Sequence, residues 1–336
     1  MKRLLFSALF FFAAGLSFAL ENKYEQYIKF KLTPEFEVMN GVIKEFVFDQ
    51  ACKNTDSKES ELDWNIKTVS LFSVHTDFDV FKYLALGFDG SFAVPQRTDF
   101  MQDYDWLNSV GNTINQPQWM DDDPTELTNF SEHINHLDKF ISFKMRLGGN
   151  IYLPAEITIT PRLTYNYEFI RFTGSGGYST YKWYDFEVKP FEGKVISYEQ
   201  ELNSILFGLN LNIKTIPRTD ISMSFDISPK FTTLTAIDYH FKSQTLGFYG
   251  SAFRDQFSKL IMMDSGMKAQ YCFSKNHSAG ISGRLQYIPV SKGITSGKAI
   301  NRKGELSTDD WTIFSDTNGG TQRCIWALAL NYSFSL

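Results

Sequence analysis

The sequence predicts an all-β protein, an antiparallel transmembrane β-barrel of about ten strands with long loops at one rim and short turns at the other. Three observations predict it. The N-terminus has the layout of an export signal, apolar and polar residues alternate along many segments, and several of these segments exceed the five or six residues usual for globular strands. Of the 336 residues 43% are apolar, yet beyond the N-terminus no run of ~20 apolar residues predicts a membrane helix.

The N-terminal segment predicts a cleavable signal peptide. A basic start is followed by an apolar stretch over residues 4–16 and by a small-x-small end at Ala19. We therefore expect residues 1–19 to be removed. An uncleaved membrane anchor is the alternative, which the shortness of the apolar stretch disfavours. Residues 20–336 contain no internal repeat or linker, so they are expected to form one barrel domain.

Alternation of apolar and polar residues predicts the strands. It is clearest at the C-terminus, where every second residue from Trp326 to Leu336 is apolar. Other segments with the same pattern are 84–94, 141–147, 157–169, 205–213 and 221–227. The pattern fits a soluble antiparallel sandwich or a membrane barrel whose apolar side chains face lipid. Export, strand length and the amphipathic last strand favour the barrel in a bacterial outer membrane.

The gaps between these segments alternate in length. Short gaps lie near 76–82, 148–156, 214–220 and 274–278, and long ones near 49–62, 97–138, 173–194, 241–250 and 291–321. In outer-membrane barrels the short turns are periplasmic and the long loops extracellular. This topology places two short motifs, Asp103-Tyr104-Asp105 and Asp238-Tyr239-His240, at the same extracellular rim.

The net charge and the cysteine content limit the kinds of ligand that the protein is expected to bind. The formal net charge is −5, and an acidic chain does not favour nucleic acid as a partner. It favours cationic peptides instead. The three cysteines, Cys52, Cys272 and Cys324, allow at most one disulfide and match no zinc motif. We therefore expect neither a bound metal nor a cofactor.

The two motifs carry acid-base chemistry. In an extended strand residues i and i+2 point to the same side, so each motif presents two titratable side chains to one face. His240 can act as a base near neutral pH, and Asp238 can orient it. Asp103 and Asp105 repel each other as anions, so one of them can retain a proton. With no Ser or Cys in either motif, water held between His240 and Asp103 is the expected nucleophile.

Six short segments resemble a known family, the omptins, from about residue 30 to the C-terminus. Met101 to Trp106 is similar to the family's segment with an aspartate pair, and Asp238-Tyr239-His240 is similar to its Asp-x-His dyad. The other four segments that resemble omptins in order are Asn40-Gly41 with Lys44-Glu45, Leu62-Asp63-Trp64, Ser197 to Gln200, and Arg254-Asp255-Gln256.

The resemblance implies a ten-stranded outer-membrane endopeptidase that uses no metal and forms no covalent intermediate. It assigns catalysis to Asp103, Asp105, Asp238 and His240. It also implies that Glu45 lies in a pocket for the basic residue before the scissile bond, so the expected substrates are peptides or proteins with basic residues. A second acid of that pocket is replaced here by Ala236.

The resemblance also implies that outer-membrane lipid, and lipopolysaccharide in particular, is a partner on the barrel flank. Tyr165 and Arg254 match the family's basic and aromatic contacts, whereas Tyr167, Phe169 and Glu201 differ from them. These three differences leave open whether this chain depends on lipopolysaccharide as the family does.

Three alternatives to this peptidase stay open at the level of sequence. The first is a catalytically inactive adhesin or receptor that keeps the barrel. The second is a small pore, which a narrow lumen lined by charged side chains disfavours. The third is a metallohydrolase whose ligands are the same three aspartates and His240.

Overall fold

The computed structural model describes residues 28–49, 58–106, 127–241, 250–301 and 305–336. The signal peptide predicted at 1–19 lies outside these residues, as does Cys52. The described residues form thirteen strands and one 3₁₀ turn, Lys182–Tyr184: β1 Ile28–Asp49, β2 Lys58–Val80, β3 Leu84–Ala93, β4 Gln96–Asp105, β5 Asn129–Gly149, β6 Ile151–Leu153, β7 Ile157–Tyr181, β8 Val188–Pro190, β9 Lys194–Ile213, β10 Thr219–Phe241, β11 Gly250–Cys272, β12 His277–Ile300 and β13 Thr312–Ser335. None of the described segments is a helix long and apolar enough to cross a membrane.

The strands form one antiparallel sheet that closes on itself. The first strand pairs with the last, with Glu45 opposite Thr321 at one end of the pair and Lys31 opposite Ser335 at the other. Strands β3 and β4 occupy one position in the ring, because both lie between β2 and β5. The short strands β6 and β8 pair only with β7. The closed ring of the described residues thus has ten positions, as the sequence predicts.

A belt of exposed apolar side chains surrounds the barrel on its outer face. Each ring position contributes at least one, and a representative set is Phe36, Phe72, Phe92, Phe143, Leu163, Phe207, Phe225, Met263, Leu285 and Leu328. Apolar side chains cover such a surface when lipid, and not water, is the solvent around it. Their alternation with inward polar side chains is the pattern on which the sequence prediction rests.

The main strands continue well beyond this belt at the long-loop rim. They contain 20 to 25 residues, whereas a strand needs only about 9–11 to cross a bilayer. Several gaps predicted as long loops are therefore shorter than expected: β7 runs to Tyr181, β12 runs to Ile300 and β13 begins at Thr312. The short turns lie where the sequence predicts them, as between Ile213 and Thr219.

An apolar layer fills the lumen between its two ends. Trp64 lies at its centre, fully buried, with its ring stacked on Phe172 at 5.7 Å and on Tyr198 at 5.3 Å between centroids. Other inward side chains of this layer are Met39, Phe140, Leu202, Leu234, Leu260, Met262 and Ile288. Towards the short-turn end lies a polar cavity of about 1100 Å³. The layer separates this cavity from the long-loop rim, an arrangement that opposes a continuous pore.

Candidate active site

The five residues singled out in the sequence lie at the long-loop rim. Glu45 is nine residues beyond the belt residue Phe36 on β1, which is about 30 Å along a strand. Asp103 and Asp105 end β4, while Asp238 and His240 end β10. These strands lie on opposite sides of the ring, and the side chains meet across the lumen above the apolar layer. The whole group therefore lies outside the membrane-spanning part of the barrel.

His240 and Asp238 form a hydrogen-bonded pair on one face of β10. Nε2 of His240 bonds to Oδ2 of Asp238, which is buried. The edge of the Phe253 ring packs against the imidazole at 5.5 Å between centroids and an interplanar angle of 87°. Because a carboxylate accepts and does not donate, Nε2 carries the proton in this pair. In the neutral imidazole Nδ1 then holds the lone pair that a general base needs.

Asp103 and Asp105 lie side by side on β4. Asp105 accepts a hydrogen bond of 3.1 Å from Nδ2 of Asn129, and Ser60 bonds to Asp103. Oδ1 of Asp103 is buried and accepts no hydrogen bond from any described residue. Burial, and then the charge of Asp105, raises the pKa of Asp103 well above its usual range, while His240 across the lumen lowers it. Asp103 therefore retains a proton more readily than an exposed carboxyl does.

Glu45 and Asp255 add two buried carboxyl groups to the cluster, with 5% and 4% of their surfaces exposed. Burial, followed by the charges of Asp238, Asp255 and Asp103, raises the pKa of Glu45 well above its usual range. Burial also raises the pKa of Asp255 to about 7, with a further contribution from Asp238. Oε2 of Glu45 and Oδ1 of Asp238 are buried without a hydrogen bond from the part of the chain that the structure describes. The cluster is therefore crowded with acidic oxygens that lack partners.

Among the described residues, the acidic cluster at the rim lacks the positive countercharges that a second acidic cluster in the same lumen has. Lower in the lumen Glu35, Glu37 and His75 present ligand atoms within 4.8 Å of one another. There Lys268 lies 2.9 Å from Glu35 and Arg284 lies 2.9 Å from Glu37, so the acids are neutralised. At the rim, in the described part of the chain, neither Glu45, Asp103 nor Asp255 forms an ion pair with a lysine or an arginine. The rim cluster suits a cationic ligand, whereas the lower cluster is already charge-balanced.

Sequence reasoning gave no role to three side chains that line the same space. Tyr198 is fully buried, and Gln200 donates 2.8 Å to its hydroxyl oxygen and 3.3 Å to Oγ1 of Thr321. Asp255 faces the lumen from β11 directly opposite Ala236. Tyr198, Gln200 and Asp255 all lie in segments that resemble the family. For Asp255 the sequence contains a further indication of a role, because this acid lies between the inward-facing Phe253 and Phe257.

The raised pKa of Asp255 predicts a pH-dependent stability. A carboxyl that binds its proton more tightly in the folded state loses stability as pH rises from its ordinary value of 3.8 through about 7. Replacing Asp255 by Asn should flatten this decline by on the order of 1 kcal/mol per pH unit. Urea unfolding in lipid vesicles at pH 5, 6, 7 and 8, followed by tryptophan fluorescence, measures it. Equal slopes for the two proteins would contradict the buried, protonated Asp255.

The flank residues named for lipopolysaccharide are on the outer surface. The Tyr165 hydroxyl donates 2.9 Å to Oδ1 of Asn203 within the apolar belt. The guanidinium of Arg254 lies 4.5 Å from the centre of the Trp311 ring, higher on the barrel. Arg171 and Lys139 lie 5.7 and 4.9 Å from the Phe169 ring. The flank therefore carries cations on aromatic faces, although Phe169 differs from the family pattern.

Comparison with solved structures identifies the fold. The barrel matches the crystal structure of the outer membrane protease OmpT from Escherichia coli with a TM-score of 0.76. The match covers 92% of this chain and 97% of that one at 16% sequence identity. At this identity the likeness shows the fold, an outer-membrane β-barrel, and it confirms the predicted fold class.

Comparison with curated proteins gives a shorter match. A protein of Yersinia pestis named plasminogen activator is 27% identical over 175 residues. The matched region is 51% of each chain, so this chain spans about half the length of that relative. The model of the omptin family matches residues 29–334, which is nearly the whole described barrel. The resemblance read from the six motifs is confirmed, and the chain belongs to the omptin family.

Proposed function

We propose that this protein is an endopeptidase of the bacterial outer membrane that hydrolyses peptide bonds next to basic residues. The observation that carries the proposal is the rim cluster, in which an Asp-His pair faces an Asp pair in a cleft with buried acids. Within the described ranges Glu45, Asp103 and Asp255 have no lysine or arginine partner. The Asp-His pair provides a base, and the unbalanced negative charge provides a site for a cationic side chain. Family membership and the barrel fold support the same activity.

In this mechanism His240 activates water. The Nδ1 lone pair takes the proton from a water molecule held between the imidazole and Asp103, and the resulting hydroxide attacks the scissile carbonyl. Asp238 accepts the hydrogen bond from Nε2 and stabilises the imidazolium that forms. The imidazolium then returns its proton to the leaving amine. A positioned base of this kind contributes about 10²–10⁴-fold to the rate.

The Asp pair provides the acid in the same scheme. Its protonated member, which we assign to Asp103, donates a hydrogen bond to the carbonyl oxygen as negative charge develops there. Asp105 accepts a hydrogen bond from Asn129, and the charge of Asp105 raises the pKa of Asp103. A neutral carboxylic acid is a stronger donor to an oxyanion than water, and in this cleft it is fixed in place.

Glu45 gives the preference for a basic residue. Its carboxyl lies within electrostatic reach of Asp103 and Asp238 but on a different strand. A lysine or arginine side chain that enters beside Glu45 brings the countercharge that this cluster lacks, which restores the ionised form of the acid. Peptides or proteins with basic residues are therefore the proposed substrates.

The proposed orientation exposes this rim to the cell exterior, with the short turns in the periplasm. The long-loop end of outer-membrane barrels faces outward in general. Lipopolysaccharide is then the lipid beside the outer flank, where Arg254 and Trp311 offer a cation and an aromatic ring. Its contact with this flank is part of the proposal.

Cleavage of a peptide library tests the function. Mature protein refolded in detergent or lipid, at pH 6 to 8, is expected to cut bonds preceded by Arg or Lys, mapped by mass spectrometry. Each preparation should be run with and without lipopolysaccharide. Cleavage with no preference for basic residues would contradict the role of Glu45 but would be consistent with the proposed hydrolase activity. If the folded barrel cleaves no peptide under any of these conditions, an inactive adhesin or receptor is favoured instead.

A further inference from the structure

Asp255 is a buried acid at the rim that the proposed mechanism does not use. It is 4% exposed, and one of its oxygens accepts a hydrogen bond of 2.7 Å from Oγ1 of Thr295. Its charge raises the pKa of Glu45, so the two carboxyl groups lie within electrostatic reach of each other. A single hydroxyl donor neither neutralises nor fully solvates such a group. Such a carboxyl holds its proton while the cleft is empty, and a cationic side chain that enters beside it restores the ionised form.

The surrounding residues are small where the Asp255 side chain needs room. Ala236 lies directly opposite on β10, where its methyl group leaves space beside the carboxyl. On β13 a Cβ added to Gly319 would lie 2.1 to 2.3 Å from the carboxyl atoms of Asp255. The carboxyl therefore reaches across β12 to β13, next to the strand that carries Glu45. Gly319 permits this reach, since any side chain there would displace the acid.

We infer that Asp255 is the second acid of the pocket that receives the basic side chain, and that it acts together with Glu45 in place of an acid at Ala236. This inference rests on the proposed endopeptidase function and names a specificity-determining residue for it. Two carboxyl groups on different strands, Glu45 on β1 and Asp255 on β11, can hold one guanidinium or ammonium group between them. The planar guanidinium suits two separate acceptors particularly well.

The test compares two peptides that differ only in charge. One has Arg before the scissile bond and the other has citrulline, which keeps the shape and lacks the charge. For Asp255→Asn, kcat/KM on the Arg peptide should fall by about 30-fold or more, since a buried charge loses its partner. On the citrulline peptide kcat/KM should stay within about twofold of the wild type, because no charge is recognised there.

Further variants separate charge recognition from a structural role. Asp255→Asn combined with Ala236→Asp should recover most of the lost Arg preference, because the new acid faces the same space. Gly319→Ala should lower cleavage of the Arg peptide selectively, because its methyl group displaces the Asp255 carboxyl. Asp309→Asn, at an exposed position between β12 and β13, is the matched control and should equal the wild type.

The outcomes distinguish this inference from the function on which it rests. Wild-type protein that cleaves neither peptide would overturn the endopeptidase itself. A wild type that prefers Arg, beside an Asp255→Asn variant with unchanged preference, would overturn only the role of Asp255. Equal loss on both peptides, with no recovery by Ala236→Asp, would also overturn it, because a structural defect does not depend on substrate charge.

Discussion

His240→Ala is expected to lower peptide cleavage by about 10²–10⁴-fold, because the cleft then lacks the base that deprotonates water. The effect should appear in kcat and leave KM for an Arg peptide nearly unchanged, since the imidazole acts on water and not on the basic side chain. A continuous fluorescence assay with an internally quenched peptide measures both kcat and KM. A folded His240→Ala variant with wild-type kcat would remove the imidazole from the mechanism.

His136→Ala is the matched control for this change. His136 lies on β5 in the long-loop half of the barrel, and it belongs to neither motif. Its replacement removes an imidazole at a comparable height on the barrel. Cleavage by this variant should equal that of the wild type. A loss similar to that of His240→Ala would indicate that the assay responds to barrel stability instead of to the base.

Asp103→Asn should lower kcat by about 10²–10³-fold, because an amide is a weaker hydrogen-bond donor to the developing oxyanion than a carboxylic acid. The raised pKa of Asp103 predicts a further signature. In the wild type, kcat should fall at alkaline pH as Asp103 loses its proton, whereas the residual activity of Asp103→Asn should lack this decline. A pH–rate profile of both proteins from pH 5 to 10 measures it.

Asp99→Asn provides the comparison for Asp103→Asn. It makes the same chemical change on the same strand, four residues nearer the short-turn end. Wild-type kcat and an unchanged pH profile are expected for it. If Asp103→Asn also keeps the alkaline decline, the proton that matters belongs to another group, and the assignment within the Asp pair is wrong.

The lipid-facing half of the fold was predictable from the sequence, because lipid selects apolar side chains at every second position. Residues such as Phe225 and Leu328 carry that signal. Above the belt the outer face meets water, so apolar alternation stops although the backbone pairing continues. This is why the upper parts of β7, β12 and β13 were expected to be loops.

Bulges weaken the sequence signal further. Thr68 on β2 and Lys259 on β11 have positive φ angles of 57° and 63°. Each inserts a residue and shifts the alternation by one, so the inward side chains change from even to odd numbers along β2. A strictly periodic pattern cannot be followed through such a point. The strand ends that carry the acidic cluster all lie beyond the belt.

The candidate site was predictable in its motifs but not in its surroundings. The i, i+2 spacing of Asp103 with Asp105 and of Asp238 with His240 predicts that each pair shares one face of its strand. The alternation of long and short gaps predicts that both pairs lie at the same rim. Asp255 could not be predicted in this way, because the acid beside which it acts, Glu45, is on another strand. Its proximity to Glu45 follows only from the closure of the ring and from the room left by Gly319.

Cleavage of a single-arginine peptide by refolded mature protein, with and without chelator, decides between a water-activating Asp-His pair and a metal centre. It is run beside a variant that combines Asp103→Asn with His240→Ala. We expect the wild type to cut after the arginine at the same rate in both conditions and the double variant to be inactive. Loss of cleavage with chelator, restored by added metal, would contradict this account in favour of a metallohydrolase. Undiminished cleavage by the folded double variant would place the chemistry elsewhere.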